Sequence, residues 1–226
     1  MKKMTGNADR ILTKALRLFS SRGYHATSVR EICQAAGVTK PTLYHFFGSK
    51  EGVYRALVDG ALEDFKERLT IALSRAGSAE ERLKRMARLY FEGGQRNPDL
   101  MRFIFGVIHN NQRTSAPPTD FARFYEDVVR MVSRCVEEGV LRGELERGPD
   151  ELRMLVLMGT LGEALCGYLI IGRPEITPAL ADRLVELVLQ GWKRRADVSR
   201  RRRGKALGPG GRRRVPRRRP SSGSSG

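Results

Sequence analysis

The stretch "VTKPTLYHFFGSKE", Val38 to Glu51, places hydrogen-bonding groups and apolar groups on opposite sides of a short helical repeat. Lys40, Thr42, Tyr44 and His45 turn an ammonium, a hydroxyl, a phenol and an imidazole towards solvent, while Leu43, Phe46 and Phe47 share the inner face. This set suits recognition of base edges. A lysine reaches guanine O6 or N7, and a threonine offers its methyl to thymine or its hydroxyl to either kind of base. Catalysis has little to stand on: there is no Gly-rich phosphate loop, no nucleophile elbow and no spaced histidine pair, and the histidines are only His25, His45 and His109. Cys33, Cys135 and Cys166 are far apart, odd in number and without metal-ligand spacing. The chain therefore reads as a binding protein, not an enzyme, with no metal and no cofactor.

Seven or eight residues are too few to hold a helix alone, so neighbouring elements must support this one. Thr39 caps its start, Pro41 fits a first turn where no N–H is needed, and the helix runs from Lys40 or Pro41 to Phe47 before Gly48. Upstream, "TSVREICQAAGV" has Val29, Ile32, Cys33 and Ala36 at helical spacing, Thr27 or Ser28 as N-cap and Gly37 as the stop. Before that, "ADRILTKALRLFSSRG" lines up Ile11, Leu12, Ala15, Leu16 and Phe19 and ends at Gly23. Three short helices around one small core form a helix-turn-helix unit, whose second helix enters the DNA major groove.

The run "ATSVREICQAAGVTKPTLYHFFGSKEGVYRAL" resembles the N-terminal signature of the TetR/AcrR family of bacterial transcription regulators, through Ala26-Thr27-Ser28, Ile32, Ala36-Gly37-Val38, Leu43-Tyr44, Phe47, Lys50 and Glu51 in register. The likeness covers about the first 57 residues, with one departure: many members carry histidine where this chain has Phe46, and His45 stands one place earlier. The resemblance implies base reading by Lys40, Thr42 and His45, with Arg30 from the preceding helix. Pro41 adds a thymine-methyl contact or only starts the helix. Thr27, Ser28, Tyr44 and Lys50 are the phosphate candidates, the first two at a helix N-terminus where free N–H groups attract anions. Capping alone also explains one of Thr27 and Ser28, and packing also explains Tyr44.

Beyond residue 50 the patterning is helical throughout, and the expected fold is all-α: a DNA-binding domain over 1–50, then a helical ligand-binding and dimerisation domain over 51–192. Helices are expected over Lys50 to Ser74, Glu80 to Glu92, from Asn97-Pro98-Asp99 onward, from Phe121 to Val136, and over Pro149 to Ile171, with "TPALADRLVELVLQGW" as the last; "NNQRTSAPPT" is a loop. By resemblance, a cavity between these helices takes a small hydrophobic effector, lined by Phe65, Met86, Tyr90, Phe103, Phe105, Phe121, Phe124, Tyr125 and Tyr168, with Glu163 and His109 as rare polar groups. Plain core explains any single aromatic equally well.

"MLVLMGTLGEALCGYLII", Met154 to Ile171, is apolar nearly all round and must be covered on all sides. It reaches the lower edge of membrane-spanning length, but Glu163 within it and the amphipathic surroundings favour cover by protein. The family likeness supplies that cover as a homodimer, whose two-fold symmetry suits a palindromic double-stranded DNA operator. A cytoplasmic location without membrane contact is the corresponding expectation. Of the formal charge of +17, a net +13 lies in residues 193–226, leaving +4 for the rest. That segment has too few apolar residues to fold and binds phosphate without sequence preference, which gives the alternative reading of a general or architectural nucleic-acid-binding protein.

Overall fold

A computed structural model describes residues 6–110 and 117–192, with His109 and Asn110 described by their backbone only. The basic segment 193–226, most of the loop after residue 110 and the His109 side chain lie outside that description. Among the described residues the fold is all-α. In chain order the helices are α1 (Asn7–Arg22), α2 (Val29–Ala36), α3 (Lys40–Phe47), α4 (Lys50–Ser74), α5 (Ala79–Arg96), α6 (Pro98–Asn110), α7 (Phe121–Leu141), α8 (Asp150–Ile171) and α9 (Pro178–Gln190).

The helix boundaries follow from local chemistry. Ser28 and Glu31 form a reciprocal capping box at the start of α2, and Ser78 and Glu81 form another at the start of α5. Thr39, Ser49 and Thr177 each accept a backbone N–H from the first turn of α3, α4 and α9. Gly37 ends α2 with φ of 61°, a left-handed conformation that glycine adopts without strain.

Two apolar cores result. Ile11, Leu12, Ala15, Leu16 and Phe19 of α1 meet Ile32, Cys33 and Ala36 of α2 and Leu43 of α3. The other core joins Leu83, Met86, Ala87 and Phe91 of α5 to Val132, Cys135 and Val136 of α7, Leu157, Leu161 and Leu165 of α8, and Val185 and Leu189 of α9. Helix α4 serves both, with Val53, Tyr54, Leu57 and Val58 in the first and Leu69 and Leu73 in the second. The cores thus separate within α4, downstream of residue 50.

Helix α6 also lies in the first core, through Phe103, Ile104 and Val107. Phe103 stacks on Phe19 at 6.1 Å and meets Tyr54 edge-on at 5.2 Å. This corrects its assignment to a ligand cavity: the amphipathic stripe of α6 is real, but its partner is the N-terminal unit. Next to Phe103, Arg102 donates from Nε and Nη2 to the Leu169 carbonyl, at 3.3 and 3.2 Å, and so ties α6 to the last turn of α8.

Candidate nucleic-acid interface

The display of α3 begins with its two flanking turns. Val38 N–H donates to Cys33 O at 3.0 Å, closing the end of α2, and Arg10 reaches across from α1 to the Gly37 carbonyl. At the far end Gly48 N–H donates to Tyr44 O at 2.8 Å. The next turn then brings α4 so close that a Cβ on Gly52 would sit 1.8 Å from the Phe47 carbonyl oxygen. Glycine is required there for space. Leu43, fully buried, pins the middle of α3 to the first core.

With both ends and the centre fixed, Lys40, Pro41, Tyr44 and His45 are exposed on one surface, and Thr42 is partly exposed beside them. Thr42 shares a hydrogen bond of 2.9 Å with the Thr39 hydroxyl, which orients it and leaves its methyl as the simplest contact to offer. Arg30 is exposed on α2. The base-reading candidates therefore share an accessible neighbourhood made by α2 and α3.

Phe46 departs from the expected inner face and is 45% exposed, its ring edge-on to His45 at 5.2 Å. At 100° per residue Phe46 stands about 60° from Leu43 on one side and Phe47 about 40° on the other, and the small core takes the nearer ring. Phe47 packs against the first core.

The phosphate candidates divide. Ser28 is exposed, and its hydroxyl serves the capping box: Glu31 N–H donates to Ser28 Oγ at 3.2 Å, and the Glu31 carboxylate accepts from Ser28 N at 2.8 Å. The Ser28 hydroxyl and backbone hydrogen bonds, in that order, hold the Glu31 carboxyl below the usual carboxylate range. Tyr44 is open to solvent.

Thr27 and Lys50 are turned inward. Thr27 is 1% exposed, and its hydroxyl donates to the Gly23 carbonyl at 2.9 Å. The Lys50 ammonium donates to Tyr24 O at 3.0 Å and Thr27 O at 2.9 Å, and lies 4.1 Å from the Tyr24 ring centroid. Both were expected to meet phosphate; both instead brace the α1–α2 turn, whose carbonyls need donors that no helix supplies. The motif signalled that these residues matter but carried no sign of which way they face. Gly52 was overlooked, although a glycine in the first turn of a long helix, where it costs helix propensity, is a legible signal of close approach.

In the second core, Phe65 lies 6.1 Å from both Tyr90 and Phe124, and Phe121 stacks at a tilt on Phe124 at 5.6 Å and near Tyr125 at 6.5 Å. Met86 is buried in that core, and Phe105 and Tyr168 pack against it. Burial pushes the Tyr90 phenol up to about 12. Phe65, Tyr90, Phe124, Phe121 and Tyr125 thus form a run of ring contacts that ends on the exposed Tyr125, while Met86, Phe105 and Tyr168 pack in or against the same core. Glu163 faces outward on α8. Its position between the inward-facing Leu161 and Leu165 rotates it away from the core, which removes it from the lining set.

Residues 11–57 match the family model described as bacterial regulatory proteins, tetR family. Over its helical body the chain is 26% identical to the TetR family transcriptional regulator PfmR from Thermus thermophilus, with a TM-score of 0.68 covering 84% of this chain and 99% of that one. Its N-terminal unit matches the TetR family, and its helical body shares the fold of that family's regulators. Among curated TetR-type relatives it is 23% identical over 194 residues to the fatty acid metabolism regulator protein of Bacillus subtilis strain 168, covering 84% of this chain and 98% of that protein. The ketosteroid transcriptional regulator KstR2 of Mycobacterium tuberculosis shares the fold at a TM-score of 0.69 and 22% identity, over 85% of this chain and 97% of that one. These likenesses are to transcription regulators, and the family match, which takes in the helix-turn-helix unit, ends within α4, where the two cores meet.

Proposed function

We propose that this chain acts as a homodimeric repressor that reads a palindromic operator with α3 and is released from it by a small hydrophobic effector. The observation that carries the DNA reading is the rigid outward display of Lys40, Pro41, Tyr44 and His45 on a helix whose reverse side is anchored by the fully buried Leu43. Lys40 and Thr42, with Arg30 and His45 beside them, read base edges, while Tyr44 and the N-terminus of α2 at Ser28 meet phosphate. The first three helices act as the DNA-binding part, and the helices beyond the middle of α4 as the effector and dimerisation part.

Dimerisation is supported by α8. The helix is long and apolar enough to cross a membrane by length and composition, yet only 28% of its apolar window is buried within the chain. Leu152, Leu155, Val156, Ile170 and Ile171 stand open along it, and Leu187 of α9 beside it. A second copy presenting the same two helices covers this surface and sets two α3 helices at two-fold related half-sites.

The effector part rests on the aromatic cluster of Phe65, Tyr90, Phe121 and Phe124, which opens to admit an apolar molecule. The names of the Bacillus and Mycobacterium proteins, a fatty acid metabolism regulator and a ketosteroid transcriptional regulator, agree with a hydrophobic effector class. Coupling runs through α4 and α6, each of which touches the DNA-binding core and the rest of the body, with Arg102 joining α6 to α8.

Selection of bound sequences from random duplex DNA by the full chain tests this reading. One palindromic consensus is the expected outcome. Recovery of sequences with no shared motif would favour general binding through the net charge of +13 in residues 193–226.

A further inference from the structure

Arg153, in the first turn and a half of α8, is 6% exposed, an unusual place for a guanidinium. Its Nη2 donates to the Glu146 carbonyl, and its guanidinium carbon lies 5.2 Å from the Trp192 ring centroid. The Nη1 group is buried and has no hydrogen-bond partner. Among the described residues Arg153 forms no ion pair with a carboxylate. A buried cation held only by a carbonyl and an indole face lacks the counter-charge that normally offsets its desolvation.

Arg153 also lines a cleft of about 400 Å³, together with Glu137, Val140, Leu141, Arg147, Gly148 and Asp150. The N-terminus of α8 opens on it without a side-chain cap, since the N-cap position is Pro149. Gly148 lies so close over Arg153 that a Cβ there would come within 2.8 Å of Nη2, so the backbone itself forms one wall. Arg147 and Arg153 balance Glu137 and Asp150 in charge. The selective feature of the cleft is therefore the unpaired donor beside free helix N–H groups, not net charge.

We propose that this cleft binds a small oxyanion, a carboxylate or a phosphate group, through Arg153 Nη1 and the N-terminus of α8. Occupancy fixes three segments at once: the turn that supplies the Glu146 carbonyl, the start of α8, and the end of α9, where Trp192 O accepts from Glu146 N at 2.7 Å. The site is separate from the aromatic cluster and from α3, and it sets the relative positions of the two helices assigned to the dimer.

Trp192 is the chain's single tryptophan, so its emission reports on the site directly. The full-length protein, without DNA, is titrated with sodium phosphate and with sodium acetate, against sodium chloride at matched ionic strength. A saturable change in Trp192 emission with phosphate or acetate is expected, with the responding salt naming the class, and at least a tenfold weaker response in Arg153→Met. An equal drift with all three salts, or a saturable response that survives in folded Arg153→Met, overturns the proposal; the second result would place the anion on the basic segment after Trp192 as an adventitious ion only. If Arg153→Met does not fold by circular dichroism, Val140→Phe fills the cleft without touching the guanidinium. Persistence of the response in that variant overturns the proposal equally. Because no DNA is present, failure here leaves the operator reading intact.

Discussion

Lys40, Thr42 and Lys50 lie within eleven residues of one another, yet the fold gives them different work. Lys40 and Thr42 stand on the accessible side of α3, so Lys40→Ala or Thr42→Ala is expected to cost about 1 to 3 kcal/mol on the preferred site and to relax preference at one base position per half-site. Competition binding against single-base variants of the selected operator checks this. Lys50 has two of its three N–H groups on the carbonyls of Tyr24 and Thr27. Charge-assisted hydrogen bonds contribute about 1.5 to 3 kcal/mol each when intact, and Lys50 is partly exposed, so Lys50→Ala should lower unfolding stability by about 2 kcal/mol in urea. The salt dependence of DNA binding by the folded fraction should be unchanged. A slope lowered by about one unit would return Lys50 to the phosphate backbone.

At the scale of elements, the junction of α3 and α4 is the tightest point of the DNA-binding unit. The close approach of Gly52 to the Phe47 carbonyl lets Ser49 cap α4 while Gly48 ends α3. Gly52→Ala would raise helix propensity in isolation by up to about 1 kcal/mol, but the added methyl cannot coexist with the carbonyl at that distance. Overpacking of this kind costs about 1 to 3 kcal/mol, so the net expectation is a less stable protein with α3 displaced and operator affinity reduced. Urea unfolding and operator titration of the same variant test both parts, and a stabilised variant with unaltered affinity would refute the steric account. Gly94 shows the same logic in the second core, where an added Cβ would lie 2.4 Å from Leu165 Cδ1.

For the whole molecule the open question posed by the fold is what covers α8. Leu155 is 66% exposed and makes no part of either core, whereas Leu184 on α9 is partly buried against the second core. Leu155→Glu therefore separates association from folding better than a charge at Leu184 would. Sedimentation velocity at micromolar concentration should give a dimer for the natural sequence and a monomer of native helicity for Leu155→Glu. A monomer for both would remove the dimer from the mechanism. An unfolded variant would place Leu155 in a structural role that its exposure contradicts.

The helices and their ends were legible in the sequence because they depend on local chemistry. Apolar spacing marked the stripes of α1, α2 and α7; Thr39, Gly37 and Gly23 marked where helices begin and stop, and the pair Thr27 or Ser28 marked the start of α2, where Ser28 is the cap. The helix-turn-helix unit followed, since three adjacent short amphipathic helices, each too short to stand alone, needed a shared core. What the sequence left open was the partner of each buried face. Periodicity identifies a stripe without naming what it meets, so α6 was separated from the N-terminal core although Phe103, Ile104 and Val107 complete it. Facing direction was equally hidden for residues near turns, where small rotations decide the outcome: Phe46 went out, Thr27 and Lys50 went in. Arg153 was invisible as a candidate site, because an arginine in a helical sequence reads as solvated surface. Only the packing of α7, α8 and α9 around it removed the water and left the guanidinium without a counter-charge.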